Sequence, residues 1–215
     1  WQGSYYWWGG KQDVANAMMT TVDPIAVTDG MTLSFDLAYD LEGGGWDFLW
    51  VQVSTMTDTW AYTDTLTNAN TQCATDPGWI GPNYGFPDDL CAIGIGGFYG
   101  HNAAYPAAET EVFDLSAYAG QDVYLRFWYM TDWGTTGAGP FIDNVMVGGF
   151  SDNAESGDAN WDYQAPWERS TGQMSFTHNF YLQWRNVNDN GGYDSTLGDA
   201  RWRFGPANSG LLVWY

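Results

Sequence analysis

The sequence predicts an all-β chain, and three observations carry that reading. Apolar and polar residues alternate with a period of two over several short runs. Those runs are rich in β-branched and aromatic residues, as in VYLRFWY (Val123–Tyr129) and LLVWY (Leu211–Tyr215). Glycine, proline and asparagine separate them, and the 215 residues include 27 Gly and 8 Pro.

In chain order, Trp1–Gly10 (WQGSYYWWGG) reads as a short strand with its rings over a sheet edge, or alternatively as an exposed sugar-binding aromatic cluster. Lys11–Thr21 is expected to start extended, although Asp13 and the small residues after it would also suit a helical turn. Val22–Val27 carries Pro24, which removes a ladder donor and marks an edge strand. Thr28-Asp29-Gly30 is a turn.

The run Leu33–Ser54 organises the rest. Leu33, Phe35, Leu37 and Tyr39 alternate with polar or small residues, Gly43-Gly44-Gly45 breaks the run, and a second strand follows. This predicts a hairpin. Leu49, Val51 and Val53 take one face, and Trp46, Phe48 and Trp50 the other. Asp47 has the parity of the core residues, while Asp40 and Glu42 sit just before the turn. A carboxylate on a core face is costly unless something positive meets it.

Thr55–Phe98 is a long polar excursion, with a short strand expected over Trp60–Leu66. Cys73 and Cys91 flank its Gly/Pro/Asn-rich part, and a disulfide there would order a loop with little else to hold it. Two isolated thiols are the alternative. Two cysteines without a neighbouring histidine do not make a zinc site.

Val112–Leu115 reads as a strand ending in a turn, and Val123–Tyr129 as a strand with Val123, Leu125, Phe127 and Tyr129 inward. Thr131–Pro140 is a glycine-rich loop. In Phe141–Val147 strict alternation points Asp143 inward with Phe141, Val145 and Val147. With six basic residues in the chain, one shared cation is a simpler solution for Asp47 and Asp143 than two buried ion pairs. Hard oxygen donors suit Ca²⁺, with Asp47, Asp143, Glu42, Asp40 and Asp13 as candidate ligands. The alternative is an aspartate bonded to backbone amides at a bulge.

Composition shifts after Gly148-Gly149, so domains are expected over 1–149 and 150–215. The second holds strands over Phe176–Asn186 and Leu211–Tyr215, a polar turn region over Asn188–Gly198, and two of the arginines in Arg201–Gly205. Ending on an apolar strand, the chain is expected to continue beyond Tyr215. Starting at Trp1, it reads as a mature or trimmed piece of something secreted. Net charge is −20, which argues against nucleic acid and anionic membranes as partners. No run of apolar residues is long enough to span a membrane.

Five segments in order, Tyr39–Ser54, Asp114–Asp132, Gly139–Val147, His178–Asn186 and Gly210–Tyr215, resemble the non-catalytic C-terminal half of the immune inhibitor A family of secreted zinc metallopeptidases. The resemblance is weakest over Asn68–Glu109, which looks like an insertion. It implies a jelly-roll β-sandwich similar to MAM domains over 1–149, then a smaller β-rich segment over 150–215. It implies an extracellular accessory module, secreted or at the cell surface. Its partner would be the protease domain of the same or parent polypeptide, with protein or glycan substrate contact, or self-association, as further options. Calcium at Glu42, Asp47 and Asp143 is carried over with it.

The family's HExxH motif is missing here. His101 lies in GHNAAY and His178 in THNF, neither beside a glutamate, so no zinc is expected in this chain. No GxSxG elbow supports a serine hydrolase. Counting carboxylates does not rule out a glycosidase pair, but the family resembled is not a glycosidase. The Trp46/Phe48/Trp50 face is the best ligand surface if open, and otherwise lies under another part of the chain. Two rival readings stand: a carbohydrate-binding or adhesive module, and a structural subunit of an extracellular assembly or filament.

Overall fold

The two strands flanking the glycine turn form as expected, but they enter different sheets. The computed structural model describes residues 3–75 and 83–172 in full, and the backbone of Tyr181–Arg185 and Gly210–Trp214. One sheet holds β1 (Tyr6–Trp8), β4 (Thr32–Asp40), β6 (Glu109–Asp114), β8 (Gly139–Val147), β9 (Phe150–Asp152) and β11 (Glu168–Ser170). The other holds β2 (Asn16–Thr21), β3 (Ile25–Ala26), β5 (Phe48–Ser54), β7 (Asp122–Met130) and β10 (Trp161–Tyr163). All pairings are antiparallel. The result is a β-sandwich.

β4 pairs with β6 and β8, whereas β5 pairs with β7. The expected hairpin is therefore a crossing from one layer to the other, over the roughly 10 Å that separates packed sheets. Gly44 and Gly45, at φ +80° and +85°, make the crossing possible. A β-carbon on Gly45 would come within 2.8 Å of the Ala74 side chain.

Between the sheets, Leu33, Phe35, Leu37 and Tyr39 face Leu49, Val51, Leu125 and Phe127 in one core. Here the alternation predicted for β4, β5 and β7 holds. In β8 it fails, because Asn144 takes φ +50° and the register slips between Ser34 and Asp36. That bulge reverses the parity. Ile142, Val145 and Val147 join the core, while Asp143 is cross-strand partner to Asp36, whose neighbours Phe35 and Leu37 point inward.

The outer face of the second sheet is also covered. Phe48, Trp50, Trp128 and Met130 pack with Ala74, Phe86, Leu90 and Ile95 in a second core. Phe48 and Trp50 have no exposed surface, so they are not an open ligand face, and Trp46 lies outside the strand. Their cover comes from the excursion after β5. The Cys73–Cys91 disulfide is present within that cover, with Cα atoms 5.0 Å apart. The strand expected over Trp60–Leu66 reduces to one helical turn, Tyr62–Asp64, and a single bridge from Thr65 to Gln52.

Arg126 is buried on this outer face, where the charge of Asp64 acts on it. Its guanidinium stacks on Trp60 and Trp128, at 4.2 and 4.8 Å from the ring centroids, and donates from Nε to Gln52 Oε1 at 2.8 Å. Burial lowers its pKa to about 10.

The chain forms two compact units, Trp1–Gly172 and Gln173–Tyr215. The first extends past the boundary expected at 149. β9, β10 and β11 pair with β8, β2 and β1, and Trp161 and Trp167 complete the inter-sheet core. In the second unit, Tyr181–Arg185 (β12) and Gly210–Trp214 (β13) form an antiparallel pair. Trp1 and Gln2, His178, the Asn188–Gly198 turn region and Arg201–Gly205 lie outside the described residues. No helix among the described residues is long and apolar enough to cross a membrane.

Candidate cation site at one end of the sandwich

Glu42 and Asp47 bracket the glycine crossing, and Asp132 follows β7. They meet because Phe48 pairs with Met130 in the β5–β7 register, so the residues just beyond both strands leave the sheet together. Asp132 N–H donates to Asp47 Oδ1 at 3.0 Å, and Glu42 N–H to Asp47 Oδ2 at 3.4 Å. One carboxylate oxygen from each of Glu42, Asp47 and Asp132 lies within 4.8 Å of the others. Gly134 N–H closes a turn on Asp132 Oδ1 at 2.9 Å.

The segment before β2 clamps this loop. Val14 N–H donates to the Asp132 carbonyl at 2.5 Å, Ala15 N–H to Thr131 Oγ1 at 2.7 Å, and Thr131 Oγ1–H to the Gln12 carbonyl at 2.9 Å.

Asp47 has no exposed surface. Burial pushes its pKa up to about 7. The two amide hydrogen bonds oppose that shift, and the charges of Asp132 and Glu42 add to it. Burial also raises the pKa of Glu42, with the Asp132 charge contributing. No cationic side chain figures among these influences. Tyr129, in β7 two positions before Thr131, is fully buried, and its hydroxyl has no hydrogen-bond partner among the described residues. Burial raises its pKa first, and the charges of Asp47, Asp13 and Asp40 add to the rise. A buried hydroxyl left unpaired costs about 1–3 kcal/mol. The end of the sandwich thus combines three converging carboxylates with an orphan oxygen, a donor set of hard ligands suited to Ca²⁺.

Of the five carboxylates expected as ligands, Glu42 and Asp47 enter this cluster. Asp40 accepts from Ala138 N–H at 3.1 Å, and Asp13 is exposed; both act on Tyr129 without joining the three. Asp143, fully buried as its parity predicted, is not one of the three. Its partner Asp36 is four residues along β4 from Asp40, roughly 13 Å. Its Oδ1 accepts from Asn144 N–H at 2.8 Å, the bulge arrangement weighed as the alternative.

Asp132 was not expected, since it sits in a run read only as loop. No sequence signal marked it, because it lies just past the end of the strand that pairs with the one Asp47 precedes, and that pairing is seen only in the structure. Exposed His101 bridges Asp40 through the backbone.

No family model matches the chain. It is 40% identical over 111 residues to the pre-pro-metalloprotease PrtV of Vibrio cholerae, which covers 48% of this chain and 11% of that protein. It is 40% identical over 109 residues to immune inhibitor A of Bacillus thuringiensis, covering 48% of this chain and 15% of that protein. The chain thus matches only a small part of the length of these relatives.

Proposed function

We infer that this chain, related over about half its length to a pre-pro-metalloprotease and to immune inhibitor A, is a non-catalytic accessory module of an extracellular zinc metalloprotease, held together at one end by calcium. The sequence has no HExxH, so the zinc chemistry of such a protease would reside elsewhere in the polypeptide, and this module would support the protease domain or its substrate.

One observation supports the calcium: a fully buried Asp47 meets two further carboxylates and two amides, with no positive side chain among the described residues to neutralise it. Glu42, Asp47 and Asp132 would hold the ion, and Tyr129 would supply a neutral oxygen beside it. The ion's role there is structural. It offsets like charges and ties the layer crossing at residues 41–47 to the loop after β7.

Two measurements test the reading. Calcium should raise the melting temperature and a chelator reverse the rise; no shift would sink the cation site. The purified chain should leave casein intact, and the coding sequence upstream of Trp1 should specify an HExxH domain. Casein cleavage by this chain alone would overturn the accessory role.

A further inference from the structure

Two indoles stand free beside the carboxylate cluster. Trp46 directly precedes Asp47 and is 42% exposed, and Trp133 directly follows Asp132 and is 71% exposed. Among the described tryptophans they alone are classed as exposed. The hydrogen bond from Asp132 N–H to Asp47 Oδ1 stitches the two loops that carry them together. The other described tryptophans of the first unit are buried wholly or in part, two of them under the disulfide-bearing cover.

The chemistry of that spot selects a ligand. Calcium takes six to eight oxygens. Three carboxylates leave several positions for outside oxygens, and the half-buried Glu42 marks the side open to solvent. A pair of neighbouring sugar hydroxyls fills two such positions, while the C–H face of the ring packs on an indole. A net charge of −20 disfavours anionic polymers and anionic lipid.

We propose that this end of the sandwich binds a neutral glycan, its vicinal hydroxyls on the calcium held by Glu42, Asp47 and Asp132 and its ring against Trp46 and Trp133. The proposal rests on the cation reading above. It places sugar recognition at the loop tips rather than on the strand face of Phe48 and Trp50.

The test is native gel retardation of the 215-residue chain in mannan, galactan and xylan, with calcium or with chelator. Melting temperature in calcium is measured on the same samples. Expected is retardation by at least one polysaccharide in calcium, lost in chelator. Trp46→Ala and Trp133→Ala should each weaken it about tenfold while keeping the calcium-induced thermal shift. A full thermal shift with no retardation would overturn the glycan proposal alone. A missing thermal shift would remove the cation reading and this proposal with it. Retardation that survives in chelator or in the double tryptophan variant, or calcium-dependent binding to phosphatidylserine vesicles in place of glycan, would also overturn it.

Discussion

Asp132 donates its backbone N–H to the carboxylate of Asp47 at 3.0 Å, across 85 positions of sequence. The bond joins the loop after β7 to the loop before β5, and it leaves one buried charge facing two like charges. The predictions below follow from that contact and from the elements that hold it.

Asp47→Asn keeps the shape and the acceptor oxygen toward Asp132 N–H, gives up the long 3.4 Å bond from Glu42 N–H, and removes the charge. Without calcium the variant should be at least as stable as the parent, because its unfavourable buried charge is gone. In calcium it should lose the ion-induced rise in melting temperature. Differential scanning calorimetry with and without chelator checks both halves. A variant that keeps the full calcium shift would remove Asp47 from the ligand set.

Burial raises the Asp47 pKa from 3.8 to about 7. An acid that holds its proton more tightly when folded carries no penalty below its unfolded pKa and the full penalty above its folded one. Its contribution to stability therefore falls as pH rises from about 4 to about 7. In chelator, the melting temperature of the parent should fall relative to Asp47→Asn over that interval, and calcium binding should tighten over it. Superimposable profiles of the two proteins would refute the assignment.

The loop closed by Cys73–Cys91 spans 18 positions. Replacing both cysteines by serine should cost about 3 kcal/mol, mainly by freeing the unfolded chain. Urea denaturation measures it. A loss under about 0.5 kcal/mol would mean that packing of Phe86, Leu90 and Ile95 suffices to hold the cover.

Val14 adopts φ +56°, a left-handed conformation that a β-branched residue adopts at a cost, and its side chain is exposed. Val14→Gly should relieve about 1 kcal/mol, or about 2–4 °C in melting temperature for a unit of this size. A fall in melting temperature would show that the valine side chain itself supports the clamp on Asp132.

How far the sequence carried varied with the element. Strict alternation placed Leu33 to Tyr39, Leu49 to Val53 and Val123 to Tyr129 on the correct face, because those strands run without interruption. It had Asp143 buried, as it is, but on the wrong face, because one residue, Asn144, bulges, and a bulge leaves no trace in a hydrophobic pattern. The glycine run marked a chain reversal correctly but not its kind, since a hairpin and a layer crossing need the same backbone freedom. Two of the three clustered carboxylates were legible from parity and proximity along the chain. Asp132 was not, as its place depends on the β5–β7 register, which only pairing reveals.

The small core beneath the disulfide-bearing excursion has a consequence for any shorter relative. Phe48, Trp50, Trp128 and Met130 are tolerable on that surface only while a lid of chain shields them. A protein that dispensed with the segment between β5 and β6 would have to repaint that wall with hydrophilic side chains, or find a neighbour to lean it on.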